Sequence, residues 1–98
     1  MTKLELLAPA RTADIGIEAV RHGADAVYIG APAFGARQAA ANSIDDIARL
    51  TAYAHLFGAK VYVTLNTILT DTELQAARSL AWRLHAIHVD ALIIQDTG

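Results

Sequence analysis

Apolar and polar positions alternate along this chain with two periods, and the two periods take turns. Short apolar runs, "LELLA" (Leu4 to Ala8), "AVYIG" (Ala26 to Gly30), "KVYVTL" (Lys60 to Leu65) and "ALIIQ" (Ala91 to Gln95), have the length and apolar content of buried strands. Between them lie three segments with helical spacing. The first runs from about Asp14, a candidate N-cap, to His22, with Gly23 as its stop. The second follows Ser43 and Asp46, a weak capping box, and carries Ile44, Ile47, Leu50, Ala54 and Phe57 on one face before Gly58. The third opens with Thr70 and Glu73 at capping-box spacing and presents Leu74, Ala77, Leu80, Leu84 and Ile87. At its end His88 stands where the other two helices have glycine, which predicts a poorer cap.

The helix ends share a pattern. "HGADAVYIG", "FGAKVYVTL" and "IHVDALIIQ" each run from a terminator through a small or branched apolar residue and a charged residue into a strand. The unit repeats at roughly 30 to 35 residues, the span of a βαβ crossover, which implies a parallel sheet covered by helices. Successive strand side chains face opposite ways. The set Leu4, Leu6, Val27, Ile29, Val61, Val63, Leu65, Leu92 and Ile94 is aliphatic, whereas the opposite set holds Glu5, Tyr28, Tyr62, Thr64, Asn66 and Gln95. A doubly wound sheet buries both faces under helices and needs both to be apolar. One aliphatic and one polar face fit a TIM-like (β/α) barrel, of which four strands and three helices make the first half. Residues 1–98 are accordingly expected to be the amino-terminal half of a barrel domain, with the remainder lying outside this chain.

Composition narrows the function. A chain of 98 residues, 54% of them hydrophobic, has room for one small domain. Eight Lys and Arg against ten Asp and Glu, interspersed, give a net charge of −2 and argue against a broad phosphate-tracking surface. With no cysteine the segment has no thiolate nucleophile or thiolate metal site. No apolar run reaches membrane-spanning length and the start lacks a signal-peptide core, so a cytoplasmic location is expected.

In a barrel the chemistry lies on the loops that leave the carboxyl ends of the strands. These are "PARTA", the long "GAPAFGARQAAAN", "NTILT" and "QDTG". The spacing of Gly30 and Gly35 imitates a Walker loop, but Ala36 and Arg37 follow where Lys and Ser or Thr are needed, and Pro32 removes a backbone donor. Two readings of the loop stand: tight turns with Phe34 plugging the barrel mouth, or Arg37 and Asn42 directing donors at an anionic or carbonyl-bearing ligand. Arg11 adds a charge at the same mouth. Asn66 and Gln95 each offer a donor and an acceptor, which suits base or amide recognition. Asp96, ending its strand, is a candidate general base or hydroxyl ligand, or a solvated loop acid. Glu5 sits inside an expected strand, where a carboxylate must be hydrogen-bonded or paired. It is read as part of a network with Tyr28 or Tyr62, or as a catalytic acid facing the ligand.

His85 and His88 form H-x-x-H without a third ligand nearby, so no metal site is assigned and both are read as solvated or capping. His22 and His55 fall at helix carboxyl ends and are read as structural. Trp82 and Tyr53 are read as packing residues. No nucleophile–base–orienter series and no H-E-x-x-H motif is present to support proteolysis.

Five ordered blocks, "LELLAPA", "HGADAVYIGAPAFGAR", "AAANS", "AHLFGAKVYVTLNT" and "VDALIIQD", resemble the amino-terminal part of the collagenase-like peptidases, family 32 among peptidases of unknown mechanism. The resemblance covers almost the whole chain. It implies a larger cytoplasmic protein whose first domain is a (β/α) barrel, and a protease activity by the label many members carry. Other members resemble enzymes of oxygen-independent hydroxylation, acting on bases of transfer or ribosomal RNA or on ubiquinone, with a cysteine-ligated iron–sulfur cluster downstream of the matched region. Two departures stand out: Arg11 follows "LLAPA" where the family has glycine, and His88 replaces the glycine before "VDAL". The main reading is thus a segment of a collagenase-like peptidase, with RNA-base or quinone hydroxylation as the alternative and a non-catalytic peptide- or RNA-binding module as the third. A half-barrel has two open sheet edges and is expected to be inactive alone and prone to self-association.

Overall fold

The computed structural model describes residues 5–31, 42–67 and 71–96. Four strands and three helices alternate: β1 (Leu7–Ala10), α1 (Ala13–Arg21), β2 (Ala26–Gly30), α2 (Ile44–Leu56), β3 (Lys60–Thr67), α3 (Asp71–Ala86) and β4 (Ala91–Asp96). The strands are all parallel and lie in chain order, β1-β2-β3-β4. Because a right-handed crossover in unbroken order keeps returning to the same side of the sheet, the helices gather on one face. There Val27, Ile29, Val61, Val63 and Leu65 join Ala13 and Val20 of α1, Ile47, Leu50 and Ala54 of α2, and Ala77, Leu80 and Leu84 of α3 in one core. On the other face Tyr28 and Ile93 are exposed, and Tyr62 and Thr64 are half-buried. The alternation read from sequence therefore holds in β2 and β3. In β4 it holds for Leu92, which packs on the core, but Ile94 is 55% exposed because no described helix covers that end of the strand.

The expected first strand, Leu4 to Ala8, begins too early. The ladder starts at Leu7, paired with Ala26, and ends at Ala10. What sets the start is Asp25: its carboxylate Oδ2 accepts from Leu6 N at 2.8 Å, and its own N–H donates to Leu6 O at 2.9 Å. Glu5 consequently precedes the strand and is exposed. The burial cost that called for a polar network does not arise, and among the described residues Glu5 has no hydrogen-bond partner. Pro9 is tolerated inside β1 because β1 is an edge strand.

A second aspartate repeats this device. Asp90 Oδ2 accepts from Val61 N at 2.7 Å and Asp90 N donates to Val61 O at 2.8 Å, so the residue entering β4 fastens the start of β3 as the residue entering β2 fastens the start of β1. Lys60 holds the equivalent position in the middle unit, where only its backbone N–H is used, donating to Asp25 O at 3.0 Å.

The helix starts differ in one point from expectation. Thr12, not Asp14, caps α1, its Oγ1 accepting from Ile15 N at 3.2 Å; the hydroxyl reaches the N–H of the third helical residue, while Asp14 is itself the second residue of the first turn. Ser43 caps α2 as its spacing predicts, accepting from Asp46 N at 3.0 Å. The Thr70–Glu73 box falls outside the described residues. At the other ends all three helices close with the same long backbone bond: Ala24 N to Ala19 O at 3.0 Å, Ala59 N to Ala54 O at 2.9 Å and Val89 N to Leu84 O at 3.4 Å. Gly23 and Gly58 supply the left-handed residue at φ 99° and 73°, and His88 does so at φ 69°, with the longest closing bond of the three. Phe57, expected on the buried face of α2, is its C-cap and 63% exposed, its ring 5.0 Å from that of Tyr53. Gly16 is where α1 closes on α2: a Cβ there would stand 2.9 Å from both methyls of Leu50.

Candidate functional site at the carboxyl edge of the sheet

Parallel register stacks the strand exits at one edge. Gly30 pairs with Thr64, Thr64 with Ile93, Asn66 with Gln95 and Thr67 with Asp96. Since Ala10 pairs with Ile29, Arg11 leaves β1 at the level of Gly30. The backbone thus brings Arg11, Gly30, Thr64, Asn66, Gln95 and Asp96 to one edge, and Asn42 enters from the other side of the β2–α2 connection. Arg37 lies outside the described residues. Glu5 stands at the opposite, amino edge.

Asn42 is the best-defined side chain of the group. Its Nδ2 donates to Arg11 O at 3.2 Å and to Gly30 O at 3.3 Å. Two carbonyls converge on the amide, so the nitrogen must face them, and a flipped amide would set three acceptors against one another. Both hydrogens are therefore used within the protein, and only Oδ1 remains to meet a ligand. Next to this tie, Ala31 N donates to Thr64 O at 2.7 Å, and a Cβ at Gly30 would meet no heavy atom within 4 Å. The exit of β2 is firmly held, yet among the described residues nothing fills the space beside Gly30.

The charges at this edge divide into two kinds. Arg49 on α2 is held by carboxylates from two helices: Nη1 lies 2.8 Å from Asp14 Oδ1 and Nη2 lies 3.6 Å from Asp46 Oδ1. The Asp14 bond, aided by Asp46, raises the guanidinium further above its usual range. Hydrogen bonds from Ser43, with Arg49 adding to them, hold the Asp46 carboxyl below its usual value. Arg11 is exposed and has no acidic partner among the described residues. No sequence spacing announces the Asp14–Arg49 pair, which joins residues of different helices; only Asp46 and Arg49, at i and i+3, were open to that reading.

The histidines lie elsewhere. His22 Nε2 is 3.1 Å from Glu18 Oε1, and His55 Nε2 is 2.9 Å from Asp90 Oδ2. His55 and Asp90 form a histidine–carboxylate pair, but the other partner of that carboxylate is the Val61 N–H, not a hydroxyl nucleophile. His85 makes an edge contact with Trp82, which is 73% exposed and does not serve as core packing. No group of three His, Cys, Asp or Glu that could hold a metal ion occurs among the described residues. A shallow depression of about 240 Å³ is lined by Leu84, His85, Asp90 and Leu92; it opens where α3 meets the start of β4, away from the carboxyl edge. No helix of the described residues is long and apolar enough to cross a membrane.

Residues 12–98 match Peptidase family U32. The chain is 60% identical over 96 residues to the 23S rRNA 5-hydroxycytidine C2501 synthase of Escherichia coli (strain K12), covering 98% of this chain and 15% of that protein. It is 37% identical over 95 residues to the tRNA hydroxylation protein P1 of Bacillus subtilis (strain 168), covering 96% and 22%. It is 32% identical over 99 residues to an uncharacterized protease of Methanocaldococcus jannaschii, covering 100% and 24%. The chain therefore spans between 15% and 24% of the length of these relatives. No solved structure matches it.

Proposed function

We propose, from the premise that this chain belongs to Peptidase family U32, that it is the first half of a (β/α) barrel in a longer enzyme that hydroxylates a base of ribosomal RNA. The observation that carries this reading is the 60% identity, across 98% of the chain, with a 23S rRNA 5-hydroxycytidine synthase. The tRNA hydroxylation protein at 37% supports the same class of substrate, and the protease-named relative at 32% supports peptide hydrolysis less well. The residue chemistry agrees. The described His–carboxylate pair has no nucleophile beside it and sits at the wrong edge for a barrel enzyme.

The barrel is favoured by sequential strand order with helices on one face, and by the uncovered Ile94 and open opposite face, which later strands and helices would cover. Until they do, the edges of β1 and β4 remain open to self-association. Within the pocket Asn66 and Gln95 are proposed to read the base edge, Asp96 to act as general base, and Arg11 and Arg37 to hold phosphate. Glu5 has no part in it, because it lies at the amino edge. An iron–sulfur cluster held by thiolates would supply redox chemistry to the longer protein. This chain contributes no cysteine to such a cluster.

The test is nucleoside mass spectrometry of 23S rRNA from cells lacking the gene, restored with the wild-type gene or with Asn66→Ala. Loss of a hydroxylated nucleoside, recovered with wild type and not with Asn66→Ala, is expected. Unchanged rRNA nucleosides in the deletion strain would overturn the reading and leave peptide hydrolysis to be assayed.

A further inference from the structure

We propose that Asn42 is a positioning residue for RNA binding, which sets the backbone of Arg11 so that its guanidinium takes a phosphate of the RNA. The inference rests on the RNA reading above and adds to it a division of labour between two residues. Asn42 Nδ2 joins Arg11 O and Gly30 O, at 3.2 and 3.3 Å. These are the first carbonyls past the paired part of β1 and the last residue of β2. No ladder bond from β2 is available to hold Arg11 there, so the amide replaces it with a bond to each chain. The tie is 31 residues from Arg11 in sequence and 12 from Gly30, which makes it a tertiary restraint on the exit of β1 and not a local turn.

What it restrains is a cation with a vacant charge. Of the two arginines at this edge among the described residues, Arg49 is bound to Asp14 and Asp46, while Arg11 is exposed and has no acidic partner. A planar guanidinium on a fixed backbone presents donors in a geometry suited to phosphate oxygens. An interspersed net charge of −2 means that RNA affinity must come from a few placed cations, not from a broad field. Arg11 leaves β1 at the level of Gly30, beside which no described atom would meet a Cβ, so its guanidinium stands next to ground where an RNA phosphate can approach.

The experiment uses the full-length protein that carries this chain and an unmodified transcript of the 23S rRNA region its relative modifies. Dissociation constants are measured by filter binding over a series of salt concentrations. Arg11→Gln is expected to weaken binding about fivefold and to reduce the slope of log affinity against log salt by about 0.7 to 0.9, the loss of one phosphate contact. Asn42→Asp, isosteric but unable to donate, is expected to give the same loss of slope, and the double variant little more than either alone. An Asn42→Asp protein that keeps the wild-type slope, or a double variant whose losses add in full, overturns the positioning role. Asn42→Ala, which breaks the tie without adding charge, is run in parallel with thermal unfolding of each protein. Should both Asn42 variants fail to fold, Arg11→Gln still decides the phosphate contact, and an unaltered slope overturns it. Wild-type protein that neither binds nor modifies the transcript would instead overturn the RNA reading itself, which separates the two failures.

Discussion

The two edges of this sheet are built from similar residue types and use them in opposite ways. At the amino edge, polar side chains are consumed by the fold: Asp25 fastens Leu6, and Asp90 fastens Val61 and meets His55. At the carboxyl edge one amide, that of Asn42, ties β1 to β2, and around it stand Arg11, which has no acidic partner among the described residues, Gly30, beside which no described atom would meet a Cβ, and the paired backbones of Asn66 and Gln95. The same parallel register produces both. Each strand start faces a turn that must be anchored, whereas each strand exit feeds a loop free to vary. The difference teaches that polar residues at one end of such a sheet report on stability and at the other on ligands.

The strongest way to break the comparison is to exchange the effects of its two terminal aspartates. Asp96→Asn in the full-length protein is expected to lower turnover about 100-fold or more, the loss of the general base proposed above, while thermal unfolding stays within about 0.5 kcal/mol of wild type. Asp90→Ala should do the reverse. It leaves the Val61 N–H, in a part-buried position, without its acceptor, which costs about 1–3 kcal/mol, and turnover at permissive temperature should be unchanged. Chemical denaturation and single-turnover assays on both proteins check the pair. An Asp90→Ala enzyme that is stable but inactive would dissolve the division between edges.

A smaller test sharpens the account of the amino edge. His88 occupies the left-handed position that Gly23 and Gly58 fill elsewhere, and its closing bond is longer, 3.4 Å against 3.0 and 2.9 Å. A side chain there costs about 1–2 kcal/mol, part of which a glycine returns through the greater freedom of the unfolded chain. His88→Gly should therefore raise stability by about 0.5–1 kcal/mol, and Gly58→Ala should lower it by about 1 kcal/mol, both read as shifts in denaturation midpoint without change in slope.

How far the sequence alone reaches follows the same line. Strand and helix placement was legible because period-two and helical spacing act over many residues at once, and the terminators Gly23 and Gly58, with His88 as the misfit, were legible because only left-handed backbone fits there. The start of β1 was not, since "LELLA" and the "PA" after it hold no residue that marks where pairing begins, and the residue that fixes the register, Asp25, lies 19 positions from Leu6. For the same reason Glu5 was placed inside a strand that begins two residues after it. Asn42 was legible as a polar residue on the right loop, but its partners are carbonyls of Arg11 and Gly30, which only the parallel register brings together.

The smallest expected effect concerns the start of α2, where the carboxyl edge borrows the fold's own chemistry. Ser43 accepts from Asp46 N at 3.0 Å, and hydrogen bonds from Ser43, then the charge of Arg49, hold the Asp46 carboxyl below its usual value of 3.8. A carboxyl with a depressed value in the folded state binds its proton more readily in the unfolded chain, so stability rises with pH between the two values. The contribution is fully present above the unfolded value and disappears as pH falls through the lower, folded one. Asp46→Asn has no charge to lose in that window. The stability difference between wild type and Asp46→Asn should accordingly be level at and above about pH 5 and shrink steadily below about pH 4. Because the side chain is solvent-facing and screened, raising the salt concentration should reduce the difference at neutral pH as well. A difference that stayed constant down to the acid limit of folding would mean that the Ser43 bond acts through geometry alone and that the carboxylate charge contributes nothing to the edge it sits on.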